Sequence, residues 1–203
     1  MNTQLINGNS DTASSQEIVT GEKPAFLEIR VHAIDGSART ISQSDAELAE
    51  RALQELDPAQ LFSHDRITIA DGDVEITFVP PLIARIDLVT DRLSVWDFPF
   101  VLGAPVEITE AEFTEGVEGL HEWKESSSGE MPVFLEIEML DGERLFLSMR
   151  VVAGLPSACL KRVHSLFKER RLIFGLQTNG IGILNHSNVV GFSVRTEHYE
   201  EHS

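Results

Sequence analysis

Cysteine, basic residues and long apolar runs are all scarce in this chain of 203 residues. The single cysteine, Cys159, rules out an intramolecular disulfide and every zinc pattern that needs several cysteines. It stands in "SACLKRVHSLF", at a position that reads as the buried face of a helix. Sixteen Lys and Arg stand against 33 Asp and Glu, a net charge of −17. So acidic a chain repels phosphate backbones, which makes general nucleic-acid binding unfavourable. No apolar stretch approaches the ~20 residues needed to cross a bilayer. The start lacks the basic-then-apolar pattern of a secretory signal. With one free thiol, a reducing cytoplasmic location is expected.

Motifs with a known chemistry are missing as well. There is no Gly-rich phosphate loop, no Gly-x-Ser-x-Gly and no His-Glu-x-x-His. Residues 1–23 are rich in Asn, Ser and Thr, poor in large apolar groups, and read as a disordered tail.

What the chain does have is an internal echo. "PAFLEI" opens at Pro24 and "PVFLEI" at Pro132. Phe26-Leu27-Glu28-Ile29 falls on Phe134-Leu135-Glu136-Ile137, Asp35-Gly36 on Asp141-Gly142, and Phe62 with Arg66 on Phe167 with Arg171. "IARIDLVTD" from Ile83 then falls on "VVGFSVRTE" from Val189. The ordered run of matches points to two copies of one unit, 24–91 and 132–197.

Each copy has the same order of elements. A strand-like run leads to an Asp-Gly turn signal and a second strand, "SARTIS" or "ERLFLSMRVV". A helix follows, announced by the capping box Ser44-x-x-Glu47 with Leu48, Ala52 and Leu56 on one face. Its counterpart starts near Pro156 and places Cys159, Val163 and Phe167 together. Hairpin patterns around Asp71-Gly72 and Asn179-Gly180, and a closing strand, complete each unit. The expected fold is α+β, a tandem duplication of a β-β-α-β-β-β unit in antiparallel sheets, each with a helix on one face. In element order the unit resembles small α/β regulatory modules such as roadblock-type domains, and no family follows from order alone.

Residues 92–131 belong to neither copy and form a connector, with residues 198–203 a second tail. Trp96, Phe98 and Phe100 recur at period two and could meet a partner or lie on a core. Thr109-Glu110-Ala111-Glu112 is a capping box for a linking helix over 110–124, with the apolar stripe Phe113, Val117 and Leu120. This insert is strongly acidic, whereas Lys161, Arg162, Lys168, Arg170 and Arg171 concentrate positive charge over 160–171. If the acidic and basic helices lie side by side, the connector would fasten one copy to the other. The alternatives are a cationic surface for an acidic partner, or cations that complement a helix C-terminus.

Candidate catalytic groups are thin. His64-Asp65 precedes a strand, where adjacent side chains point apart; Asp71 and Asp73 are explained by turn chemistry. Glu28 and Glu136 hold equivalent places, and across a pseudo-twofold axis they could share a proton or a metal, although outward strand positions also suit them. His164 and His186 have no spaced partner; His198 and His202 lie four apart in the charged tail. No cofactor or metal is expected. The expected function is non-catalytic: a protein-binding, assembly or regulatory module of two pseudo-symmetric repeats, with a protein partner or self-association. One alternative is a small-molecule-binding protein or enzyme using the crevice between repeats, which clustering of Glu28, Glu136 or His186 would favour. A second is nucleic-acid regulation through the basic helix 160–171.

Overall fold

A computed structural model describes residues 27–90, 104–122, 129–152, 156–168 and 170–196, with backbone alone at 122 and 156–160. The tails, Phe26, Trp96, Phe98, Phe100, the Cys159 side chain, His198 and His202 lie outside the described residues. The first half contains β1 (Leu27–Ala33), β2 (Ala38–Gln43), α1 (Ala46–Glu55), β3 (Ile67–Asp71), β4 (Val74–Phe78) and β5 (Ile83–Val89). The connector supplies β6 (Val106–Ile108) and α2 (Glu110–Glu118). The second half contains β7 (Glu130–Met139), β8 (Arg144–Val152), α3 (Pro156–Leu166), β9 (Arg171–Gly175), β10 (Gly180–Asn185) and β11 (Val189–Arg195).

Local chemistry explains most boundaries. In the β1–β2 turn, Asp35 Oδ1 accepts from the Ser37 N–H at 2.9 Å, and Gly36 takes the left-handed φ of +79° that an L side chain rarely adopts. The β7–β8 turn does the same: Asp141 Oδ1 accepts from Glu143 N–H at 2.9 Å, with Gly142 at φ +84°. Helix α1 starts one residue later than the Ser44 box suggested. Asp45 is its cap, accepting from Glu47 N–H and Leu48 N–H. Helix α2 has the expected reciprocal box between Thr109 and Glu112 but ends at Glu118, continuing as a 3₁₀ turn over Gly119–Glu122.

The sheet departs from expectation. Two separate antiparallel sheets were expected; nine strands instead form one mixed sheet in the order β11-β7-β8-β6-β9-β10-β5-β1-β2, with β3–β4 as a separate two-stranded sheet. Two features cause this. Strand β10 pairs antiparallel with β5, carrying Ile181 onto Leu88 and Ile183 onto Ile86. The short β6, inside what read as a connector, bridges β8 and β9 and makes the one parallel pairing in the described sheet.

Pairing registers trace a row across all nine strands: Ile41, Ile29, Leu88, Ile181, Gly175, Val106, Ser148, Phe134 and Arg195. Residues paired in a row share a face. At one end that face is a core under α1, where Leu27, Ile29, Ile41, Leu88 and Ile181 pack with Leu53 and Leu56. At the other end the core lies on the opposite face, under α3, where Val133, Leu135, Leu147 and Phe174 pack with Val163 and Phe167. The hydrophobic side of the sheet therefore changes over between the halves. Strand β10 stands at the crossover and all six of its residues are buried.

The same backbone bonds recur 106 residues apart. Ala33 N–H donates to Ser37 O and Met139 N–H to Glu143 O; Ile34 N–H donates to Leu82 O and Leu140 N–H to Asn188 O. The literal PAFLEI and PVFLEI match has an offset of 108, so it sits two residues out of this register. Phe134 accordingly is not a core residue of the α3 side. It is half-buried on the face beneath α2, edge-on to Phe113 with centroids 6.1 Å apart.

A charged cavity at the seam of the two halves

Beyond the end of α3, the α3-side face carries charge. Arg30 and Asp87 are cross-strand partners on β1 and β5, as are His32 and Arg85. Arg85 donates through Nε to Asp87 Oδ1 at 2.7 Å and through Nη2 to Asp87 Oδ2 at 2.8 Å, a bidentate pair. Its Nη1 donates to Glu107 Oε1 on β6 at 2.8 Å. His32 Nε2 lies 3.0 Å from Asp87 Oδ2. The Arg85 guanidinium also stands 5.3 Å from the Phe174 ring centroid. Arg30 donates through Nε to Glu28.

The Asp87 side chain is 3% exposed and that of Arg85 is 19% exposed, so both charges have lost most of their water. Burial pushes the Asp87 carboxyl up, but the hydrogen bonds from His32 and Arg85 and the Arg85 charge outweigh it and hold the group below its ordinary range. For Arg85, burial opposes the charge, while Asp87 and Glu107 more than compensate and raise its pKa.

Glycine allows close packing beside this cluster. A Cβ at Gly182 would run into the Phe174 ring, and one at Gly180 into the Leu88 carbonyl. Both glycines therefore let β10 lie close to its neighbours. A cavity of about 340 Å³ adjoins the charged residues, lined by Arg30, Arg85 and Asp87 of the first half, Glu107, Ile108 and Thr109 of the connector, and Leu176, Gln177 and Thr178 of the second half. None of Glu28, Glu136 and His186, the residues named for a crevice between repeats, lines it.

Glu28 and Glu136 do not meet. Glu28 lies on the α3-side face of β1 and Glu136 on the α2-side face of β7, with five strands between them. Glu136 is bound by Arg144 at 3.1 Å and by the Ser193 hydroxyl at 3.4 Å. His186 stands beside the Phe167 ring, centroids 5.7 Å apart, and His164 edge-on to Phe192. His64 and Asp65 are exposed. Among the described residues no three His, Cys, Asp or Glu side chains come together as a metal site.

The acidic and basic helices do not lie side by side. Helix α2 packs through Phe113 on Phe134 and Phe146, on the face opposite α3. Its Glu110 pairs with Arg144 of β8, and Gln177 donates to Glu112 at 2.7 Å. Bonds from Thr109 and Gln177 hold the Glu112 carboxyl below its ordinary range. Lys161, Arg162, Lys168 and Arg170 are exposed and make no ion pair with any described residue; Arg171 is partly buried and donates to Ala59 O at 2.8 Å.

No protein-family model, curated protein or solved structure matches the chain. Among the described residues no helix is long and apolar enough to cross a membrane. The seam cluster escaped the sequence because its members sit on three separate segments. The one local signal was the unusual strand "IARIDLV", in which Arg85 and Asp87 interrupt an otherwise apolar run.

Proposed function

We propose that the protein is a cytoplasmic, non-catalytic binding module built from two copies of one β-β-α-β-β-β unit, acting through the exposed basic surface of α3 and the residues just after it. The recurrence of turn and strand-entry bonds at an interval of 106 residues supports the duplication. One observation carries the function: Lys161, Arg162, Lys168 and Arg170 are exposed without a described acidic partner, in a chain of net charge −17. Such a cluster suits an acidic protein surface.

The test compares the wild-type chain with the variant Lys161→Glu, Arg162→Glu, Lys168→Glu, Arg170→Glu, using immobilised poly-glutamate and duplex DNA as probes. Poly-glutamate should retain the wild type at low salt and release the variant. Retention by neither probe, or equal retention of both proteins, sinks the reading. Retention by DNA alone would put nucleic-acid regulation in its place. A second reading, small-molecule binding at the seam, is favoured by the cavity that both halves line.

A further inference from the structure

Resting on that second reading, we infer that the seam cavity binds a small organic anion, with its carboxylate or phosphate on Arg30 and its body against Ile108 and Leu176.

The first support is an unused guanidinium fork. A guanidinium carries five N–H donors. Arg85 uses three of its five, two on Asp87 and one on Glu107. Arg30, in the cavity wall, uses one of its five, on Glu28 Oε1, which leaves four without a described acceptor. Asp87 is met by both Arg85 bonds and by His32, and neither Glu28 nor Glu107 offers its second oxygen to Arg30 in a described bond. The free Arg30 donors call for a ligand rich in acceptors. Carboxylates and phosphates match a guanidinium fork in two parallel bonds.

The second support is the contrast between halves. The residues 106 positions on from Arg30, His32, Arg85 and Asp87 are Glu136, Glu138, Gly191 and Ser193. On that face of the second half α2 covers Phe134 and Phe146. The equivalent face of the first half keeps desolvated charges instead. Buried ion pairs seldom stabilise a fold better than apolar packing, so their presence in one half alone points to a binding role. The third support is shape. About 340 Å³ exceeds what a bare inorganic ion needs and sits at the lower end of small-molecule sites, and Ile108 and Leu176 give it an apolar side.

Positioning follows from the network. Asp87 holds the Nε–Nη2 edge of Arg85, and Arg85 through Nη1 holds Glu107 across the seam, so the charged groups beside Arg30 are fixed by one another before any ligand arrives. The Glu107 carboxylate beside it would disfavour a ligand with negative charge at both ends.

The test titrates the full chain by calorimetry with four probes: butyrate, glycerol 3-phosphate, glycerol and putrescine. One of the two anions should bind, which also separates carboxylate from phosphate recognition. Arg30→Ala should weaken that binding by roughly tenfold or more, and Arg30→Lys by less, because a lysine gives charge without the fork. The Arg30 side chain is 41% exposed, so both variants should melt with the wild type when no probe is present. That check separates a lost site from a lost fold. Failure of both anions, or binding that Arg30→Ala leaves unchanged, overturns the inference. If glycerol or putrescine binds while the anions do not, the cavity is a small-molecule site of another class. If none of the four binds, the small-molecule reading falls with it.

Discussion

The hairpins β3–β4 and β9–β10 follow the helix of each half and precede its last strand, yet one stands apart while the other joins the halves. The difference lies in what each second strand offers its two faces. β4 reads Val74-Glu75-Ile76-Thr77-Phe78: Ile76 is buried toward α1, while Glu75 and Thr77 are exposed. β10 reads Gly180-Ile181-Gly182-Ile183-Leu184-Asn185, with Ile181 and Ile183 in the α1 core and Leu184 in the α3 core. A strand with one apolar face can only cover a helix. A strand apolar on both faces can be the middle of a sheet. The glycines of β10 add a second condition, since they admit the Phe174 ring and the Leu88 carbonyl to positions a side chain would occupy.

Removing the ring at the crossover should do most damage. Phe174 is fully buried in the α3 core and lies over Gly182, so Phe174→Ala should cost about 3–5 kcal/mol in urea unfolding. A loss below about 1 kcal/mol would mean that β10 is held by its backbone alone.

Next comes the charged face. Asp87→Ala leaves Arg85 without its bidentate partner and should cost about 3 kcal/mol, whereas Ser193→Ala, 106 residues further on, should stay within about 0.5 kcal/mol. Because the Asp87 pKa is lowered in the folded state, its contribution is fully present above the unfolded value of about 3.9 and is lost as pH falls through the lower folded value. Acid titration of stability should therefore be shallower in the variant than in the wild type. Parallel curves would show that the carboxylate is not held by its partners.

The hairpin contrast itself can be tested by exchanging residue types. Ile183→Thr buries a hydroxyl where both cores meet and should cost about 2 kcal/mol; Thr77→Ile on the open side of β4 should change stability by less than about 0.5 kcal/mol. Equal costs at the two sites would erase the distinction. The smallest effect is expected on α3. Reversing Arg162 and Lys168 to Glu should leave stability within about 0.5 kcal/mol at low and high salt, because α2 lies on the other side of the sheet. A salt-dependent loss would imply an acidic neighbour for α3.

The sequence by itself determined the local features. Asp35-Gly36 and Asp141-Gly142 specify their turns, Thr109 and Glu112 cap α2, and alternation at Leu27, Ile29 and Val31 specifies a half-buried strand. These were legible because each depends on residues a few positions apart. Neighbouring residues set backbone conformation through sterics and short hydrogen bonds, whatever the rest of the chain does. Tertiary structure alone decided that β10 would pair with β5, that three residues of the connector would become β6, that α2 and α3 would take opposite faces, and that Arg30, Arg85 and Glu107 would surround one cavity. Edge pairing is a competition among all unpaired edges of the chain, settled by which pairing buries most apolar surface on both faces at once. A strand apolar on both faces shows that it must be central, but not between which neighbours.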